Sequence, residues 1–206
     1  NQIESLQSLT SGWRSVPKEK QEISKTFLEI KKMLVKYQKI APTTINKIEG
    51  YDVSNLGKDI IVGSLVAFID GQPEKTLYRK FNLKYNLSGP DDPEGIRQIL
   101  KRRLNHPEWI YPQILLVDGG KTQGSAAFSA IKEATLTKQI TVLGLVKENE
   151  ALVIPKIIND KIFGWQSLRL SRNSLVLQLF QAIRDEAHRF AQKFYKQKQS
   201  KRLLTK

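Results

Sequence analysis

The stretch Ile110-Tyr111-Pro112-Gln113-Ile114-Leu115-Leu116-Val117-Asp118-Gly119-Gly120-Lys121-Thr122-Gln123-Gly124 decides how this chain folds. Its apolar run, Ile114 to Val117, is too short for a helix and too apolar for a loop, so it reads as a buried strand. The strand ends in a carboxylate. Ligands in open α/β sheets collect at the carboxyl ends of strands, where Asp118 sits. Gly119 and Gly120 let the backbone approach a ligand, and Lys121 adds a cation just beyond them. Taken alone, Asp118 also reads as a cap on the helix that follows, so the rest of the chain has to decide between the two readings.

Composition narrows the field. The chain has 206 residues, 40% of them hydrophobic, enough to bury one full core. With no cysteine, disulfides, thiolate zinc sites and cysteine nucleophiles are excluded, and a reducing compartment such as the cytoplasm fits. No apolar run approaches the roughly 20 residues that cross a bilayer, and no signal-peptide pattern opens the sequence. The first residue is Asn1 rather than Met, so a piece of a longer protein is expected. A formal net charge of +14 points to a polyanionic partner, nucleic acid ahead of a membrane surface.

Upstream of the deciding stretch, the polar lead-in to Pro17 has one large anchor, Trp13. Ile23, Phe27, Ile30, Leu34 and Tyr37 then recur at helical spacing and predict an amphipathic helix over 18–38. Three strands are expected next: Lys47 to Ser54, Ile60 to Ile69, and Thr76 to Leu83 after the turn Asp70-Gly71-Gln72-Pro73. The first carries Asp52 among apolar neighbours, a costly place for an uncompensated charge. After Ser88-Gly89-Pro90, the residues Ile96, Ile99, Leu100 and Leu104 predict a helix, with Asp91 and Glu94 at capping-box spacing.

Downstream, Lys121 to Thr135 reads as a helix and Ile140 to Val146 as a fifth strand. Ala151 to Ile154 and Lys161 to Leu170 suggest a hairpin. Val176, Phe180, Ile183, Ala187, Phe190 and Phe194 predict a long helix over 173–199, capped by Asn173 or Ser174. One turn within it separates Arg184 from His188 and places both on one side. The tail from Lys193 reads as a solvated, frayed basic end. In domain terms, 1–46 is a lead-in with an extra N-terminal helix, 47–200 an α/β domain and 201–206 a basic tail.

A three-strand antiparallel meander followed by helix, strand, helix, strand and closing helix is the element order of the RNase H fold: a mixed sheet of five or more strands flanked by helices. There the first and fourth strands lie side by side, which would bring Asp52 to Asp118. Two carboxylates that close repel unless a divalent cation separates them. Oxygen ligands with room for water and phosphate suit Mg²⁺ or Mn²⁺, and a metal so held can drive phosphodiester hydrolysis.

The series Ile48-Glu49-Gly50-Tyr51-Asp52-Val53-Ser54, Tyr78-Arg79-Lys80-Phe81-Asn82-Leu83, Gly89-Pro90-Asp91-Asp92, Leu116-Val117-Asp118-Gly119-Gly120-Lys121 and Ile183-Arg184-Asp185-Glu186-Ala187-His188-Arg189-Phe190-Ala191 resembles the C-terminal endonuclease domain of the UvrC family, the incising component of the bacterial UvrABC excinuclease. The resemblance runs from Ile48 to Arg202. It implies an RNase H-like endonuclease that cuts damaged duplex DNA 5′ to a lesion in nucleotide excision repair, with a divalent metal, Mg²⁺ or Mn²⁺, and a UvrB-type partner. Carried over, it makes Asp52 the principal metal ligand, Asp118 the second carboxylate and His188 the third catalytic member. Glu49, Asp91, Asp92, Lys121, Arg184 and Arg189 become candidate supporting residues, with salt bridges to Asp185 or Glu186 as the other reading of the two arginines.

Departures from the family pattern are Asn55, where a histidine is usual, and Leu170-Ser171-Arg172-Asn173 in place of Leu-Pro. The family's tandem helix-hairpin-helix and GIY-YIG modules have no counterpart in these residues, so weak, salt-dependent binding to DNA phosphates and a monomeric state are expected. A catalytically silent DNA-binding or partner-docking module of the same fold is the alternative reading; a nuclease for RNA–DNA hybrids is a third.

Overall fold

Strand β1, Lys47–Asn55, is the axis of the sheet: it pairs antiparallel with β2, Ile61–Ile69, on one side and parallel with β5, Ile114–Asp118, on the other. The computed structural model describes residues 18–38, 42–55, 61–83 and 92–204. Trp13, the Ser88-Gly89-Pro90 turn and Asp91 lie outside them.

Beyond β2, the two-residue β3, Gln72–Pro73, and β4, Arg79–Asn82, both pair with β2. Helix α2, Asp92–Leu104, crosses to β5, and α3, Lys121–Glu133, crosses to β6, Thr141–Val146, parallel to β5. Strands β7, Ala151–Ile158, and β8, Lys161–Arg169, extend the sheet antiparallel to eight strands in the order β3-β2-β1-β5-β6-β7-β8, with β4 off that path on β2. Helices α1, Lys18–Gln38, and α4, Leu175–Leu204, complete the chain. The fold is α/β and RNase H-like, with an extra N-terminal helix.

Side-chain alternation divides the core in two. Ile48, Ile114, Leu116, Leu143 and Leu145 face one side of the sheet, where they bury Phe180 and Ile183 of α4 and Ile30 and Leu34 of α1. Tyr51, Leu115 and Val117 face the other side, against Ile96, Ile99 and Leu100 of α2 and Ala127 and Ile131 of α3. Fully burying a residue such as Phe180 contributes about 1.5–3 kcal/mol. The stripe of α1 finds its partner inside this molecule: Ile23, Phe27 and Tyr37 also pack on the α4-side core.

Three local expectations change. The predicted third strand over Thr76 to Leu83 is interrupted, because Lys75–Leu77 winds into a 3-10 turn. There the Glu74 carboxylate accepts from the Thr76 amide at 3.2 Å and from its hydroxyl at 2.5 Å, and such side-chain bonds compete with a ladder. Strand β7 runs four residues past Ile154, through Pro155. Its pairing with β6 ends at Val153, so the missing proline N–H breaks no bond on that side. Asn159 and Asp160 close the β7–β8 hairpin with φ of 47° and 55°, the backbone of a type I′ turn. Finally, α4 stays helical to Leu204, past the frayed end expected from Lys193, and begins after Ser174, whose hydroxyl accepts from the Leu177 amide at 3.5 Å.

Candidate active site

The register between the central strands brings the carboxylates together. Tyr51 pairs with Val117, so Asp52 and Asp118 are the next residues along and point to the α4 side, like Ile48 and Leu116. Strand β5 ends there for a geometric reason. Gly119 has φ of 137°, which favours glycine, and its carbonyl oxygen would lie 2.6 Å from a Cβ on Gly144 of β6. Gly119 in the turn and Gly144 in β6 thus let the chain after Asp118 lie flat on β6, fixed by a Gly119 N–H to Leu145 C=O bond of 3.1 Å. Gln123 then caps α3 by accepting from the Gly120 amide at 3.2 Å.

Helix α4 delivers the third residue. A Cβ on Gly50 would collide with the Ile183 side chain, so this glycine is what lets α4 lie directly on β1. Ser64, paired with Asp52 across the β1–β2 ladder, donates a buried 2.8 Å hydrogen bond to the Ala187 carbonyl. The next residue, His188, points Nδ1 at Asp52 Oδ2 across 3.6 Å. Asp52, Asp118 and His188 each offer one ligand atom, all within 4.8 Å of one another.

The carboxylates are not equivalent. Asp52 is 5% exposed and accepts a 2.8 Å hydrogen bond from Ser54. The Asp118 carboxyl is held above the ordinary range, first by burial and then by the charge of Asp52; Arg184, His188 and Lys147 pull the other way. A divalent cation would relieve that repulsion, and two carboxylate oxygens with one imidazole are a fitting donor set. Ligand atoms sharing a Mg²⁺ at about 2.1 Å lie at most about 4.2 Å apart, so the cluster needs only a small closure of side chains to hold one. Asp52 lies at the buried floor of the cluster, Asp118 is half-buried and the His188 side chain is 43% exposed. A cleft of about 480 Å³ bordered by Gln38, Lys138 and Asn159 shares no residue with the cluster.

The supporting candidates separate. Glu49 is a correction: it points to the α2 side, where it is 1% exposed and forms ion pairs with Arg103 at 3.0 Å and Lys47 at 2.9 Å. Strand alternation gives it the opposite face from Asp52. Arg184 is buried one turn before His188, bonded to Glu150 at 2.9 Å and to Asp185 at 2.8 Å. Burial opposes its charge, but these two carboxylates outweigh burial and hold its pKa above the ordinary value. Arg189 pairs with Glu186 at 2.6 Å. Lys121 is exposed at the start of α3, and Asp92 is exposed at the start of α2.

Glu150, Ser64, Lys147 and Gln192 were not predicted from the sequence. Glu150 stands in the β6–β7 turn with φ of 51°, a conformation unusual for glutamate that no residue pattern announces. The i, i+4 spacing of His188 and Gln192 was the one available signal.

A carboxylate within the central strand and a second at the end of its parallel neighbour, faced by a histidine of the closing helix, define a nuclease-type RNase H-like domain. Residues 38–192 match the family described as the UvrC RNAse H endonuclease domain, and the chain belongs to that family. UvrABC system protein C of Dictyoglomus thermophilum is 40% identical over 158 residues, 76% of this chain and 25% of that protein. Its counterpart in Methanothermobacter thermautotrophicus is 30% identical over 191 residues, 91% of this chain and 30% of that protein. The chain thus spans between a quarter and a third of the length of these relatives. Among solved structures, Ciona intestinalis endonuclease V, in complex with a 24mer DNA containing an inosine followed by a ribo-adenosine, aligns at a TM-score of 0.46 and 13% identity, over 86% of this chain and 99% of that one. Endonuclease V from Bacillus subtilis gives a TM-score of 0.46 and 13% identity over 85% and 93%.

Proposed function

We propose that residues 47–200 form a divalent-metal-dependent DNA endonuclease unit that hydrolyses a phosphodiester bond 5′ to a lesion, within a longer repair protein that works with a UvrB-type partner. The observation that carries this reading is the convergence of Asp52, Asp118 and His188 from three separated parts of the chain. Asp52 and Asp118 would hold Mg²⁺ or Mn²⁺, a Lewis acid that would supply water activation and charge stabilisation for phosphodiester hydrolysis. His188 binds through a bare ring nitrogen or moves a proton at the reacting oxygens. Asp91 or Asp92 is the candidate supporting carboxylate, at or next to the start of α2. Lys121 and Lys147 flank the end of β5 and suit contacts to DNA phosphates, with the salt dependence of all such contacts. Arg184 and Arg189 act through their acidic partners, shaping the helix that carries His188.

Plasmid nicking with Mn²⁺ or Mg²⁺ tests the proposal. Losing even an outer partner of a metal ligand costs about 10–100-fold, so Asp52→Asn is expected to lower the rate by about a hundredfold or more while folding normally. Equal nicking by parent and variant, or none by either, rejects the enzyme in favour of a silent docking module. Duplex DNA and RNA–DNA hybrid run side by side decide the substrate.

A further inference from the structure

The backbone under His188 is fixed on two sides, by Ser64 holding the Ala187 carbonyl and by Ile183 seated on Gly50, but the imidazole side chain itself is 43% exposed. Among the described residues, one side chain meets its outer edge. The side-chain amide nitrogen of Gln192, one helical turn on, lies 2.9 Å from His188 Nε2, while Nδ1 faces Asp52. From this geometry we infer that Gln192 is a positioning residue for His188: it holds the ring edge-on to the carboxylates and sets which ring nitrogen carries the proton. The inference rests on the nuclease reading above, which gives His188 its work.

The chemistry follows from what an amide can offer. With its N–H₂ towards Nε2, Gln192 donates and the ring proton must sit on Nδ1, where it faces Asp52. The amide nitrogen is the atom that faces Nε2 here, and a proton on Nδ1 is the arrangement that matches it. Turned over, the amide presents its carbonyl, Nε2–H donates to it, and Nδ1 is left bare towards the site. A carboxylate in this position would only accept, and an aliphatic side chain would do neither. Each orientation of the amide thus selects one proton arrangement of the ring, and neither adds charge to a cluster that already holds two carboxylates.

The chain has two histidines, so ¹⁵N-histidine labelling and long-range ¹H–¹⁵N spectra resolve His188, with His106 as an internal control. In the metal-free protein the neutral His188 ring is expected to carry its proton on Nδ1, opposite the amide nitrogen of Gln192. Gln192→Leu and Gln192→Glu are expected to move it to Nε2. In nicking assays Gln192→Leu is expected to lower kcat about tenfold, as outer partners of site histidines do, with KM unchanged. Gln192 is exposed and neither variant disturbs the core. Identical His188 tautomers in parent and variants overturn the inference and leave the nuclease reading standing. Parent protein that shows the expected tautomer but no metal-dependent nicking overturns the nuclease reading, and with it any catalytic role for Gln192.

Discussion

Gly50→Ala tests whether the closing helix is seated on β1 by a missing methyl. The added Cβ would lie 3.2 Å from Val66 Cγ2 and 3.3 Å from the Ile183 carbonyl oxygen, and would overlap the Ile183 Cγ2 methyl outright. Carbon atoms pack at about 3.5–4.0 Å, so α4 must lift by about 1 Å or Ile183 must leave its rotamer. Overpacking of this kind costs about 1–3 kcal/mol, which lowers the melting temperature by about 2–12 °C in a domain of this size. Ile183→Ala removes the offending methyl but opens a cavity, costing about 2–5 kcal/mol alone. If the collision is the cause, the double variant melts above the sum of the two penalties, with a coupling of about 0.5–3 kcal/mol. The assay is a thermal or urea melt of all four proteins. Strict additivity refutes the seating of α4 on Gly50, and with it the account of how His188 reaches Asp52. Nicking should follow the melts, since misplacing a reacting group by about 1 Å can cost about a hundredfold.

Asp118→Asn should stabilise the metal-free protein at neutral pH and not at acid pH. Because the folded-state carboxyl is raised, the folded chain holds a proton that the unfolded chain has released, so parent stability falls as pH rises from the ordinary carboxylate range through the raised value. The asparagine has no such penalty. Urea melts across that window check it, and an advantage independent of pH contradicts it. On the other face, Arg103→Met strips the main cation from Glu49, both side chains being almost fully buried, and should cost about 3–5 kcal/mol. Nicking by the fraction that remains folded, measured well below the melting temperature, should keep the parent kcat; lost activity in a folded variant would show that the two faces are coupled.

The parts of the fold that could be read from the sequence are those where one period rules. Val176, Phe180, Ile183 and Ala187 have a helix's spacing and nothing else's, and Ile114 to Val117 fit only a buried strand. Thr76 to Leu83 alternates like a strand, yet the Glu74 carboxylate wins the Thr76 amide and turns the chain. The site was legible through residue type at strand ends, since a carboxylate after an apolar run needs an explanation. Its outer partners were harder to read: Glu150 in a turn and Ser64 inside a strand are ordinary residues until tertiary contacts bring them to Arg184 and Ala187, while Gln192 was signalled only by its i, i+4 spacing from His188.

Glu49 and Asp52 show why residue type alone falls short. Both are buried carboxylates of one strand, three residues apart, and the sequence offered both to the site. Alternation sends them to opposite faces, and there their partners differ. Glu49 takes Arg103, Lys47 and the hydroxyl of Tyr51, at 3.0, 2.9 and 2.6 Å, so two cations and a donor answer one negative charge. Among the described residues, Asp52 takes one hydroxyl, from Ser54, and faces a histidine at 3.6 Å and a second carboxylate. A buried charge so sparsely matched is costly to the free protein, and a cation that binds there recovers that cost as affinity. The carboxylate saturated by its own chain is structural; the one left short is where an outside charge belongs.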